Sequence, residues 1–136
     1  MTAPLHFESI LPSAFDASVK IFKSGSKEIA HNLLMNLIFT LKTQNQEVLK
    51  LKSDVELKDS SLAFSLDTEE FHDSMIQVSD TLYELEKTTK EFENKSDIFK
   101  EFYKIVDELY TNSLQLAYCV SSIASEKRYL ESKLAS

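Results

Sequence analysis

The residues with the clearest capacity for chemistry are two Glu-x-x-His steps, Glu28-Ile29-Ala30-His31 and Glu69-Glu70-Phe71-His72. On a helix that spacing brings a carboxylate and an imidazole onto one face. Two such pairs, joined by a Glu from each of two other helices, build carboxylate-bridged di-metal sites in helical bundles. The simpler reading is of polar groups near helix starts, where acids suit the positive end of the helix dipole. Each pair stands early in its own helix, and consecutive helices on a short connection run antiparallel. The two pairs are therefore expected at opposite ends of a bundle, ~40 Å apart by the helix rise. A di-metal enzyme is the weakest function considered, and no metal or cofactor is expected.

The other reactive side chains offer less. Cys119 is the single cysteine, so neither an internal disulfide nor a cysteine-based metal cluster can form. It lies one turn from Leu116 and Ile123 on an apolar face, far in sequence from any histidine, and reads as a buried, inert thiol. Gly25 is the only glycine. One glycine cannot build a Gly-x-Ser-x-Gly elbow, a phosphate-binding loop or a dinucleotide fingerprint. No catalytic residue is assigned, and the chain is expected not to be an enzyme.

The elements that carry these residues are helices. From Phe71 to Phe92 an apolar or small residue recurs every third or fourth step: Phe71, Met75, Val78, Leu82, Leu85, Thr89, Phe92. The alternation returns as Phe99, Phe102, Val106, Leu109, Ser113, Leu116, Val120 and Ile123, the spacing of one helix face. The prolines are Pro4 and Pro12, and nothing after Gly25 is Gly or Pro, so the turns of tight hairpins are missing. The expected fold is all-α: an elongated antiparallel bundle of three long helices and a short N-terminal helix, with coiled-coil-like packing.

Residues 1–12 read as an extended arm with Leu5, Phe7, Ile10 and Leu11, and residues 13–136 as one helical-bundle domain. Ser13 is the expected N-cap of the short helix, which carries Phe15, Val19 and Phe22 on one face. Ser24-Gly25-Ser26 favours a break, although one glycine costs only ~1 kcal/mol inside a helix and 13–57 could run through. The second helix spans about 27–58, with the seam Leu34, Leu37, Leu41, Gln44, Val48, Leu51, Val55. Gln44 is its polar step, of the kind that fixes register in coiled coils. Residues 59–67 read as a connection, and Asp67 with Glu70 as a capping box for a third helix reaching about Asn94. The seam keeps its phase through Asn94-Lys95-Ser96-Asp97, so a short turn and one helix over 68–134 both fit the spacing.

The last helix carries two seams. Ile98, Phe102, Ile105, Leu109, Leu116, Cys119 and Ile123 form one edge; Phe99, Tyr103, Val106, Tyr110, Ala117 and Val120 form the other. The aromatic run Phe92, Phe99, Phe102, Tyr103 and Tyr110 reads as core rather than a ligand-stacking surface. The turns from Glu126 to Glu131 would overhang the bundle. Together with the nearly all-round apolar stretch Leu33 to Phe39, this surplus of apolar face points to self-association or a partner helix.

Charge narrows the partner. Residues 59–97 hold three lysines against eleven acids, while the segments on either side are nearly balanced. There is no Lys/Arg stripe, which argues against nucleic acid. The N-terminal stretch lacks a signal-peptide pattern. The most apolar run, Leu33 to Leu41, falls far short of the ~20 residues that span a bilayer. A cytoplasmic protein is expected. Its function reads as non-catalytic: an adaptor, a helical chaperone or an assembly subunit, with a protein partner or a homo-oligomer. The interaction face is expected at Leu33, Met35, Phe39, Tyr103 and Tyr110. An amphipathic coat on a lipid or polymer granule is the alternative; the acidic middle helix weakens it, because interfacial helices usually carry Lys/Arg on the polar face.

Overall fold

Phe71, Met75, Val78, Leu82, Leu85 and Thr89 are all buried, and the helix that carries them sets the frame of the molecule. The computed structural model describes residues 11–57, 60–92 and 94–135. Among these are five helices and no strand: α1 (Leu11–Lys23), α2 (Lys27–Leu57), α3 (Ser60–Leu66), α4 (Glu69–Lys90) and α5 (Asp97–Ala135). The expected all-α bundle is the fold. The extended arm expected over 1–12 lies largely outside the described residues. Leu11 and Pro12 already belong to α1, where a proline in the first turn costs no hydrogen bond. Ser13 is thus inside the helix and does not cap it.

The favoured break at Gly25 is present. Gly25 adopts φ +98°, its N–H donates to Phe22 O, and the Ser26 N–H donates to Ile21 O. Those two bonds close a Schellman motif, which needs the left-handed residue that glycine supplies without a steric cost. The chain then reverses, and α1 lies back along α2. Phe15 stacks on Phe102, with ring centroids 5.0 Å apart, and Phe22 meets Phe99 edge-on. Phe99 and Phe102 are fully buried, as the aromatic run predicted.

Two connections differ from expectation. Residues 59–67 contain α3, whose Ala63 and Leu66 are buried and which packs on α5. The N-cap of α4 is Thr68, whose Oγ1 accepts the Phe71 N–H at 3.1 Å. Asp67 does not serve as the cap, because its carboxylate is engaged by His72 and Arg128. α4 ends at Lys90 and α5 begins at Asp97, so the uninterrupted 68–134 helix is not formed.

α5 is the centre of the bundle. Its first seam faces α2, where Asn112 meets Asn45 and Cys119 meets Glu56. Its second seam faces α4, where Tyr103 reaches Glu86 and Tyr110 lies against Tyr83. The doubled seam is therefore used inside the molecule. α4 runs antiparallel to α5, since Glu86 pairs with Tyr103 and Asp67 with Arg128. α2 runs parallel to α5: Asn45 matches Asn112, and Glu56, further along, matches Cys119. Consecutive long helices alternate in direction, and α3 carries the chain across the end. The polar register contact belongs to Asn45, one residue beyond the expected Gln44. Gln44 is half-buried, with Oε1 lacking a hydrogen-bond partner among the described residues.

Candidate protein-docking groove

The residue types of a hydrolytic triad do come together at one end of the bundle. His72 in the first turn of α4, Asp67 just before that helix, and Ser121 on α5 converge. The geometry is not that of a triad. Asp67 Oδ1 and Ser121 Oγ, the latter at 3.4 Å, both approach Nε2 of His72. A serine nucleophile needs one ring nitrogen for itself and the orienting carboxylate on the other. Asp67 also accepts an ion pair from Arg128 through its second oxygen. Burial pushes the Asp67 carboxyl upward, but hydrogen bonds from His72 and Arg128 and their charges outweigh it and hold the group below the ordinary range. Arg128 lies in turn over the Phe64 ring of α3, 5.1 Å from its centroid. The cluster is a clasp that joins α3, α4 and the late part of α5.

The two Glu-x-x-His steps are not brought together. Glu28 and His31 are exposed in the first turns of α2, at the Gly25 end, whereas Glu69 and His72 start α4 at the opposite end. Among the described residues no three His, Cys, Asp or Glu side chains converge as a metal site. Cys119 is half-buried, with Sγ 3.6 Å from Glu56 Oε1. Burial first, and then the Glu56 carboxylate, push its thiol up, away from the reactive thiolate.

The feature that remains is a groove of about 400 Å³ between the outer edges of α4 and α5. Met75, Ile76, Leu114 and Ala117 form its apolar lining, Tyr83 and Tyr110 its aromatic end, and His72 stands at the other end. Ile76 and Leu114 are exposed, although each is large and apolar. Asp80 stands on the rim. Beyond the tyrosines, Glu86 accepts a hydrogen bond from Tyr103 Oη at 3.3 Å. Burial and the nearby Asp107 carboxylate push Glu86 above the ordinary carboxylate range. The groove is apolar along its floor, with Asp80 the one acid in its lining and Lys87 laid over the Tyr83 ring. Leu114 also borders a second cleft with Tyr118, Cys119 and Lys52, so apolar surface continues across the face of α5.

The five residues assigned to an interaction face fall into three places. Tyr110 lines the groove, and Tyr103 is part of its acidic end. Leu33, Met35 and Phe39 are exposed on α2, Phe39 with 73% of its surface in water. At ~100° per residue Met35 and Phe39 share one flank of α2, and Leu33 lies on the other. Ile76, Tyr83 and Leu114 were not picked out from the sequence. The available signal was two large side chains seven residues apart, Ile76 and Tyr83, standing outside the clean stripe of α4. No helix of the described residues is long and apolar enough to cross a membrane. Comparison with known protein families, with curated proteins and with solved structures returns no match.

Proposed function

We propose that this protein is a non-catalytic helical interaction module, acting as an adaptor, a helical chaperone or an assembly subunit, with the α4–α5 groove as a working surface. The observation that carries this reading is the exposure of Ile76, Tyr83 and Leu114 along one groove whose floor continues into the core at Met75. Monomeric proteins rarely leave contiguous apolar surface in water without a use for it, and a groove between two helices accepts the apolar face of a third. The clusters with catalytic residue types have structural explanations: Asp67, His72 and Arg128 form the clasp, and Cys119 is paired with Glu56. Capture from the native source with the immobilised chain tests the reading. The wild type is expected to retain a defined set of proteins that Ile76→Asp and Leu114→Asp both lose while keeping the wild-type circular dichroism. Identical retention by all three chains would remove the groove from consideration.

A further inference from the structure

The outer flank of α2 is the chemical complement of the groove. Met35, Phe39, Lys42, Leu49 and Lys50 fall within an arc of about 100° on that helix. Met35, Phe39 and Leu49 are exposed large apolar residues, and the two lysines are exposed as well. From Ile29 to Gln46 the helix contains no acid. The first acid afterwards, Glu47, projects about 140° away from Lys42. The groove side of α4 leans the opposite way: Asp80 lines the groove, and Glu69, Asp73 and Glu86 project toward the same side, against Lys87 and Lys90. Asp107 of α5 faces Glu86 at the aromatic end. Met35 to Lys50 rises ~22 Å, somewhat longer than the ~17 Å of groove lined from His72 to Tyr83.

We infer that the protein assembles head to tail, the Met35–Phe39 flank of α2 from one copy seating in the α4–α5 groove of the next. The inference rests on the docking reading above and names its occupant. Flank and groove belong to α2 and to the α4–α5 pair, and α5 packs between α2 and α4, so the two surfaces do not meet within a monomer. An apolar ridge edged by lysines enters an apolar groove edged by carboxylates, which sets both the fit and the register of the contact. A single flank-to-groove contact leaves one free flank and one free groove. Unless these pair reciprocally in a two-fold dimer, the contact repeats into a ring or an open chain.

Sedimentation of the full chain over a range of concentrations, with complementary variants, tests this. The wild type is expected to grow in mass with concentration. Phe39→Asp, which spoils the flank, and Leu114→Asp, which spoils the groove, are each expected to remain monomeric; Ile76→Asp repeats the groove test should Leu114→Asp not fold. Mixed together, the flank and groove variants retain one intact surface each and are expected to form a 1:1 dimer that grows no further. Lys42→Glu with Lys50→Glu is expected to weaken association about tenfold or more, and Asp80→Lys in the partner copy to restore part of it. A wild type that stays monomeric to sub-millimolar concentration overturns the inference, as does a mixture that fails to dimerise. If the wild type is monomeric but Leu114→Asp still loses its captured proteins, the docking reading stands and only the self-assembly falls.

Discussion

Asn112 donates from Nδ2 to Oδ1 of Asn45 at 2.8 Å, across the seam between the parallel helices α2 and α5. Asn45 is almost fully buried and Asn112 half-buried, so the bond lies at the edge of the core where each amide would otherwise be poorly solvated.

Removing one of these amides leaves its partner with an unmet hydrogen bond. Asn45→Ala is expected to cost about 1–3 kcal/mol in denaturant unfolding. The double change to leucine should recover most of that loss, since apolar replacement of both partners avoids the stranded group. A double-mutant cycle measures the coupling between them. Additive single effects would show that the bond contributes nothing specific.

Gly25 invites a cleaner test. A Cβ built there meets nothing within 4 Å, so substitution acts through the backbone alone. With φ at +98°, Gly25→Ala is expected to destabilise by about 1–2 kcal/mol without any steric contact. Gly25→Asn should be milder, because asparagine tolerates the left-handed region better. Equal stability of the alanine variant and the wild type would contradict the Schellman geometry.

The clasp predicts acid sensitivity. The Asp67 carboxyl is held below its usual 3.8 in the folded state. Its contribution is therefore fully present above that value and is lost as pH falls through the folded-state pKa. Asp67→Asn is expected to be less stable than the wild type at pH 7 by about 1–2 kcal/mol, and the two unfolding curves should converge in acid. A gap that persists unchanged in acid would show that charge is not what Asp67 supplies.

Glu86 has the opposite sign. Its carboxyl is raised above 4.5 in the folded state, by burial and by Asp107, so ionisation at neutral pH works against the fold. Glu86→Gln is expected to raise the midpoint of thermal unfolding at pH 7, since the amide can still accept from Tyr103. That advantage should shrink as pH falls from above the folded-state pKa toward 4.5, where the native carboxyl is already protonated. Thermal scans at neutral and acid pH separate this from a simple packing change, which would persist at both.

The helices were legible wherever one face contrasts with the rest. α4 is the clearest case: its buried residues are those of the stripe, because the remaining positions are strongly polar. α2 was harder, since Leu33 to Phe39 is apolar nearly all round and periodicity cannot rank its faces. That ambiguity joined Leu33 to Phe39 in one surface and placed the polar contact at Gln44 in place of its neighbour Asn45. α3 is seven residues long, less than the span over which a helical period can be recognised, and Asp59-Ser60-Ser61 reads locally as a turn. The cap at Asp67 or Thr68 was a choice between two good capping residues. Asp67 is taken up by His72 and by Arg128, and the latter, from the far end of α5, lies outside any local pattern. The groove depends on how α4 and α5 are set against each other, so only its separate walls were present in the sequence.

The parallel alignment of α2 with α5 also bears on the order in which the chain can fold. α4 and α5 are neighbours in sequence and can close as a hairpin across a short turn. The α2–α5 seam instead joins residues as far apart as Asn45 and Asn112. Such distant pairing carries a loop-closure entropy that local hairpins avoid, and it slows folding relative to bundles built from sequential neighbours. Until α5 has emerged, α2 has chiefly the short α1, with a small contribution from α3, to cover its apolar side. During synthesis the N-terminal half therefore waits, partly uncovered, for the last helix to arrive.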